Sequence, residues 1–258
     1  MEKKVTELID LEYRNNFITD VIFRIDYSPI LKISENIPSD LQDKIRDILP
    51  EFNENKIIRI ESVLENKKFL NKEPQISQEW QFTNKDKSMI ANLSHENLNI
   101  IVKKYKNFED YRNFLMKILN YFHEIYRPIE VKRVGLRYIN NITINNGNPI
   151  NWEDYINDKL ICQIKGFFED SSKISRILGQ ICLKMEEFNI IFNYGISNPE
   201  YPLRIAKKQF VLDYDCYTVE CEFEEIEKLL INFNSEVKKM FENSIKDNLR
   251  KIMGVINE

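Results

Sequence analysis

The chain has 258 residues and a mass of 31.0 kDa, with 43% hydrophobic and 12% aromatic residues but only 6 glycines and 8 prolines. This composition excludes a largely disordered chain and predicts helices and strands that form one large domain or two smaller ones. The formal net charge of −4 excludes a protein whose whole surface is basic and binds nucleic acid, while a local basic face stays open.

The start of the chain carries charges where a signal peptide needs an apolar core, and no apolar run approaches the length of a bilayer span. We therefore expect a cytoplasmic protein with no membrane partner. The four cysteines fit neither a CxxC pair nor a disulfide framework, so we expect reduced, half-buried side chains at Cys162, Cys182, Cys216 and Cys221. With only two histidines, His95 and His123, a zinc site would need scattered residues, and we expect no cofactor.

The first half of the chain alternates between strand and helix patterns. A strand is predicted over 20–27 and a short helix over 39–49, where Ser39 is a plausible N-cap with Gln42 three residues later. Strands are predicted over 56–64, 77–83, 88–93 and 98–105. A helix over 108–126 closes this half, because apolar side chains recur there every three or four residues and Pro128 follows.

The second half repeats the same plan coarsely. It predicts strands over 130–144, 174–186, 189–197 and 208–222, a short helical turn over 152–156, and one long helix over 224–253. The fold class is therefore α+β, with two pseudo-repeated β-α-β-β-β-α units over residues 1–128 and 129–258. We expect antiparallel sheets with the long helices packed on one face, and the two units packed as one body.

The strand over 130–144 is the most informative segment. Side chains of a strand point alternately to opposite faces, so Arg133, Gly135 and Arg137 share one face. Val134 and Leu136 belong to the other face, which suits a core. The sequence therefore predicts a strand with one apolar face and one face that carries two guanidinium groups.

The octapeptide Arg133-Val-Gly-Leu-Arg-Tyr-Ile-Asn140 resembles the hallmark of a sporadically distributed family of uncharacterised prokaryotic proteins of similar length. The segment Trp80-Gln-Phe-Thr-Asn84, followed by a strand and a helix, also resembles the middle region of that family. The resemblance covers most of the chain. It implies a patchy, horizontally mobile distribution and a role in a mobile accessory or antiviral defence module, but no established chemistry.

Two interpretations of the arginines stay open. They either pair with carboxylates on a neighbouring strand, for which Asp213 and Asp215 are candidates, or they present parallel donors to a phosphate or carboxylate of a ligand. A glycine between them would let a ligand approach closely. Further residues that could extend such a binding face are Tyr138, Asn140, Arg176 and Lys184. Interleaved aromatics would suit stacking on single-stranded nucleic acid, namely Tyr138, Tyr194, Tyr201, Phe210 and Tyr214.

The sequence therefore predicts a non-catalytic binding or adaptor protein that engages an anionic partner, either nucleic acid or protein, through a sheet face around Arg133 and Arg137. One alternative is a metal-dependent phosphodiesterase or nuclease in which Asp213 and Asp215 hold the metal. Another is a structural subunit whose long helices assemble a homodimer. No phosphate-binding glycine loop and no hydrolase motif accompanies these residues.

Overall fold

The computed structural model describes residues 12–59, 62–65, 68–71, 75–162, 164 and 170–255. The expected α+β class is confirmed, since these residues form helices and an antiparallel sheet. The strands are β1 (Ile18–Tyr27), β2 (Glu51–Arg59), β3 (Ser62–Glu65), β4 (Lys68–Asn71), β5 (Gln75–Thr83), β6 (Met89–Ser94), β7 (Asn97–Val102), β8 (Val131–Thr143), β9 (Ile177–Lys184), β10 (Asn189–Ile196) and β11 (Gln209–Cys221). The helices are α1 (Leu31–Glu35), α2 (Ser39–Ile45), α3 (Phe108–Tyr126), α4 (Ile226–Ser244) and α5 (Asp247–Met253).

Nine of the strands form one sheet in the order β2-β5-β6-β7-β1-β8-β11-β10-β9, while β3 and β4 form a separate two-stranded hairpin. The chain divides into two compact units. Unit 1 contains the described residues within 1–21, 135–218 and 226–258, and unit 2 contains those within 22–134 and 219–225. This division differs from a single cut after residue 128, because β1, β8 and β11 each contribute residues to both units.

Unit 2 builds its core from one face of its strands and from its helices. The ring of Tyr27 on β1 lies 5.1 Å from that of Phe122 on α3, and both side chains are buried. The indole Nε1 of Trp80 on β5 donates a 2.7 Å hydrogen bond to the carbonyl oxygen of Ile33, so the ring is buried without an unsatisfied donor. Helix α1 is therefore tied to the strand that it covers.

Unit 1 also packs a helix against one face of its strands. The Tyr138 hydroxyl on β8 donates to Asn234 Oδ1 on α4 at 3.0 Å, and the Tyr214 hydroxyl on β11 donates to Ser244 Oγ at 2.9 Å. All four residues are buried. Burial of each large side chain stabilises the fold by roughly 1.5–3 kcal/mol, and the satisfied hydroxyls avoid a desolvation cost. Helix α4 thus lies against the strand face that carries Tyr138 and Tyr214.

The helix predicted over 108–126 is confirmed as α3 with the same bounds. Its first turn is capped by Asn107, whose Oδ1 accepts a 2.8 Å hydrogen bond from the backbone N–H of Asp110. At the other end Arg127 adopts a left-handed conformation with φ of 45°, and Pro128 prevents continuation.

The single long helix predicted over 224–253 is wrong. A 3₁₀ turn precedes α4, which ends at Ser244, and α5 begins at Asp247. The break arises because residues 155–157 pair with the chain there: Ile156 bridges Ile245, and the Lys246 N–H donates to the Tyr155 carbonyl oxygen at 2.8 Å. Arg250 then donates to two carbonyl oxygens left at the end of α4, those of Glu242 and Ile245.

Other differences are smaller. Strand β2 begins at Glu51, five residues before the predicted start, and the predicted helix over 39–49 is shortened to α2. Residues 60 and 61 of the strand predicted over 56–64 lie outside the described residues. The strand predicted over 174–186 is β9, preceded by a 3₁₀ turn over Ser171–Lys173. None of the helices in the described part of the chain combines the length and the apolar character needed to cross a bilayer.

Candidate functional site

Strand β8 has the two faces that its sequence predicts. Val134, Leu136 and Tyr138 are buried, with at most 3% of each residue exposed. Arg137, on the opposite face, keeps 41% of its side chain exposed. The face of unit 1 that points away from α4 therefore carries polar groups, and Arg137 is one of them.

Arg137 is held by a carboxylate on the neighbouring strand of the sheet. Its Nε and Nη2 atoms donate to Oδ1 and Oδ2 of Asp213 on β11, both at 2.7 Å. Both distances are short, as expected for a bidentate ion pair. Only 7% of the Asp213 side chain is exposed. Arg137 thus satisfies a carboxylate that would otherwise be buried without a cationic partner.

The ion pair continues as a row of hydrogen bonds across β8, β11, β10 and β9. Asn193 lies opposite Asp213 in the register, and its Nδ2 donates to Asp213 Oδ2 at 3.2 Å. Gln180 lies opposite Asn193, and its Nε2 donates to Asn193 Oδ1 at 2.8 Å. We call Arg137, Asp213, Asn193 and Gln180 the charged row. Each member orients the next, because every bond fixes a planar group on a rigid strand.

Carboxylates stabilise the charged form of Arg137. Hydrogen bonds to Asp213 raise the pKa of Arg137 above its usual range, partial burial opposes this, and the carboxylates of Asp213, Asp215 and Asp20 add to the rise. The guanidinium is therefore held as a cation by acidic groups of the fold itself.

Two residues proposed for the binding face lie on the buried face instead. Tyr138 donates to Asn234, as described above, and Asn140 donates through Nδ2 to the Leu212 carbonyl oxygen at 3.2 Å. Both are at most 4% exposed. Gly135 shares the polar face with Arg137 but is itself buried. The octapeptide therefore combines core residues with residues of the polar face.

The remaining basic candidates lie at other positions along the strands. Arg133 is on the same face of β8 as Arg137, four residues earlier, and is assigned to unit 2. Arg176 is exposed, donates through Nε to the Ser197 carbonyl oxygen at 2.9 Å, and lies 4.1 Å from the centre of the Tyr201 ring. Lys184 is exposed at the far end of β9. Eight residues of extended chain separate Arg176 from Lys184 by roughly 26 Å, so the two do not form one anion site.

The aromatic side chains offer little surface for stacking. Tyr138, Tyr194, Phe210 and Tyr214 are all buried in the core, with at most 8% exposure. Tyr201 is 52% exposed, and the guanidinium of Arg176 already covers its ring. The expected series of exposed aromatics beside basic groups is therefore reduced to one ring.

Among the described residues, no third side chain joins Asp213 and Asp215 as a metal ligand. Asp213 and Asp215 share the polar face of β11, but both oxygens of Asp213 accept hydrogen bonds within the charged row. Within the described ranges no three His, Cys, Asp or Glu side chains are grouped so that they could hold a metal ion. Two of the cysteines, Cys162 and Cys182, are exposed, in contrast to the half-buried state expected for all four.

Asn193 and Gln180 were not predicted as site residues, because a single amide side chain says little about function in an asparagine-rich sequence. The signal that could have found them is the strand register, since alternation places both on the polar faces of β10 and β9. That register depends on the hairpin turn between the two strands, where the Met185 N–H donates to the Phe188 carbonyl oxygen.

Unit 2 carries a second polar row with a different chemistry. Its members, which we call the amide row, lie opposite one another on β2, β5, β6 and β7: Asn53, Gln81, Asn92 and Asn99. Gln81 Nε2 donates to Asn92 Oδ1 at 3.0 Å, as Gln180 does to Asn193. Each unit thus has a row of polar side chains across four strands, and only the row of unit 1 contains an ion pair.

Comparison of the sequence with protein-family models and with curated proteins found no match. The family resemblance drawn from the octapeptide therefore stays a prediction. Functional inference rests on the geometry of the charged row.

Proposed function

We propose that this protein is a non-catalytic binding module and that unit 1 engages a partner protein through the charged row. The observation that carries the proposal is the continuous set of hydrogen bonds from Arg137 through Asp213 and Asn193 to Gln180. A surface of rigidly held, partly exposed amides and one guanidinium is pre-organised for hydrogen bonding, so little side-chain entropy is lost on binding.

The partner class follows from the ion pair. Asp213 already binds Nε and Nη2 of Arg137, and Asp215 and Asp20 also stabilise the charged guanidinium. Phosphate contacts dominate the affinity of proteins for nucleic acid, and a phosphate would have to compete with these carboxylates for Arg137. A polypeptide surface with amide or basic groups meets no such penalty, and we infer a protein partner in place of the anion expected from sequence.

The same topology supports a duplicated architecture. In unit 2 the meander β5-β6-β7 ends beside β1, and in unit 1 the meander β9-β10-β11 ends beside β8. Each meander is followed by a 19-residue helix, α3 or α4. We propose that the two units are pseudo-repeats of one β-α-β-β-β-α plan whose long helices pack on one strand face, and that their polar rows have diverged in chemistry.

The decisive experiment captures partners from extract of the native host with three tagged proteins. These are the wild type, a unit 1 variant (Gln180→Ala with Asn193→Ala) and a matched unit 2 variant (Gln81→Ala with Asn92→Ala). We expect one host protein to be retained by the wild type and the unit 2 variant and lost from the unit 1 variant. Equal retention by both variants, or no specific protein, would contradict the proposal.

A labelled single-stranded DNA probe checks the partner class directly. We expect no saturable rise in fluorescence anisotropy at physiological salt with the wild-type protein. Salt-sensitive binding of this probe that the unit 1 variant loses would show that the row binds nucleic acid, and would overturn the inference of a protein partner.

A further inference from the structure

Strand β9 ends the sheet in unit 1 with an open side. Among the described residues, β10 is the only strand that pairs with β9. The outward N–H and C=O groups of an edge strand are ready to pair with another strand. Natural edge strands are usually protected against such pairing by charged side chains, prolines, bulges or short length.

Most of β9 lacks these protections. It has eight residues with no proline, and its only charged residue is Lys184 at the last position. Leu178, Ile181 and Leu183 are 66%, 39% and 37% exposed. By contrast β2, the strand at the other end of the sheet order, carries Glu51, Glu54 and Lys56. The two edge strands differ in the feature that prevents association.

We propose that β9 pairs antiparallel with β9 of a second copy of this chain, about a two-fold axis at Ile181. In this register Ile181 lies opposite Ile181 of the second copy, and Gly179 lies opposite Leu183. Opposite residues share a face in an antiparallel pair, so the exposed side chain of Ile181 is covered by Ile181 of the second copy. On the other face Gln180 lies opposite Cys182, and Leu178 lies opposite Lys184.

Charge favours this register over the one with its axis at Gln180. It brings Arg176, just before β9, opposite Glu186 in the turn after β9 of the second copy, so two symmetric pairs of opposite charge form. A register shifted so that Gln180 faces itself would place Arg176 opposite Lys184, which is a repulsive like-charge pair. Shifts by one residue would mix the apolar and polar faces.

A second copy is the occupant that this strand fits best. Self-pairing about a two-fold axis covers the β9 edges of both copies with one interface. A single strand pair is a small interface, so we expect a reversible dimer that dissociates on dilution. The dimer uses the backbone edge of β9, whereas the charged row uses side chains on one strand face; Gln180 belongs to both.

Sedimentation equilibrium over a range of protein concentrations tests the dimer. We expect the wild type to dimerise and Ile181→Lys to weaken dimerisation by about tenfold or more, because two ammonium groups would meet at the axis. The matched control is Ile58→Lys on β2, since Ile58 is 59% exposed on the opposite edge strand and should leave the dimer intact.

Disulfide cross-linking tests which residues of the two β9 strands lie opposite each other, and it does not depend on the lysine substitution. In a background with Cys162→Ser and Cys182→Ser, Ile181→Cys should form a disulfide between copies under mild oxidation, because directly opposite Cβ atoms are close. A protein that is monomeric at every concentration and forms no such disulfide would overturn the proposal. So would a dimer that Ile181→Lys leaves unchanged, or binding of β9 to a peptide of another protein.

Discussion

The charged row of unit 1 and the amide row of unit 2 both place polar side chains opposite one another across neighbouring strands, but they use different groups. Both cross four strands, and both contain a glutamine that donates to an asparagine on the next strand. In unit 1 the series ends in the ion pair of Arg137 with the nearly buried Asp213, whereas every member of the amide row is uncharged. Leaving a neutral amide partly hydrated costs little free energy, but a buried carboxylate requires a partner. Of the two rows, therefore, only the row of unit 1 holds a charged pair.

The largest expected effect comes from removing the guanidinium. Arg137→Leu leaves Asp213 with the single hydrogen bond from Asn193, and we expect the free energy of unfolding to fall by about 2–3 kcal/mol. This is below the cost of breaking a fully buried pair because Arg137 is partly exposed. Urea denaturation followed by circular dichroism measures the change.

The amide row supplies the control for that variant. Asn92→Ala removes the acceptor of Gln81 without stranding a charge, and it should lower stability by only about 1 kcal/mol. If Arg137→Leu lowers the free energy of unfolding by no more than Asn92→Ala does, the ion pair stabilises unit 1 no more than the amide hydrogen bond stabilises unit 2.

Glu79 of unit 2 is a partly buried carboxylate that can be compared with Asp213 of unit 1. Glu79 of unit 2 lies opposite Asn55 on β2, and burial raises its pKa while the hydrogen bond from Asn55 lowers it in part. A raised pKa means that the protonated form is favoured in the folded state. The stability from this group is fully present below its unfolded pKa and is lost as the pH rises through the folded value.

We therefore expect Glu79→Gln to be more stable than the wild type at neutral pH, with the difference shrinking as the pH falls toward the ordinary pKa of a glutamate. Thermal unfolding at several pH values measures this. A variant that is less stable at neutral pH would show that the Glu79 carboxylate has a stabilising partner, as Asp213 does.

Local patterns in the sequence predicted the elements that depend on local physics. Helix α3 was found because its apolar spacing, its cap and Pro128 all lie within one segment. The division of β8 into an apolar and a polar face followed from alternation alone. Asp213 was named as a candidate partner of the arginines, but its choice over Asp215 depends on how β8 and β11 align across 76 residues of chain.

Features set by distant contacts could not be predicted. The break between α4 and α5 is caused by pairing with residues 155–157, and nothing in the helical sequence itself ends the periodicity. Asn193 and Gln180 join the charged row only through the registers of β10 with β11 and with β9. The effect of Asp20 on the pKa of Arg137 likewise requires the position of β1 in the sheet, which the sequence alone does not give.

A double-mutant cycle on Arg137 and Asp213 tests most directly whether the arginine is held by this carboxylate within the fold. It compares the free energies of unfolding of Arg137→Leu, Asp213→Asn, the double variant and the wild type. A coupling energy of about 1.5 kcal/mol or more in favour of the pair is predicted. Changes that add independently, within about 0.5 kcal/mol, would show that Arg137 does not depend on Asp213 and would contradict the charged row as described.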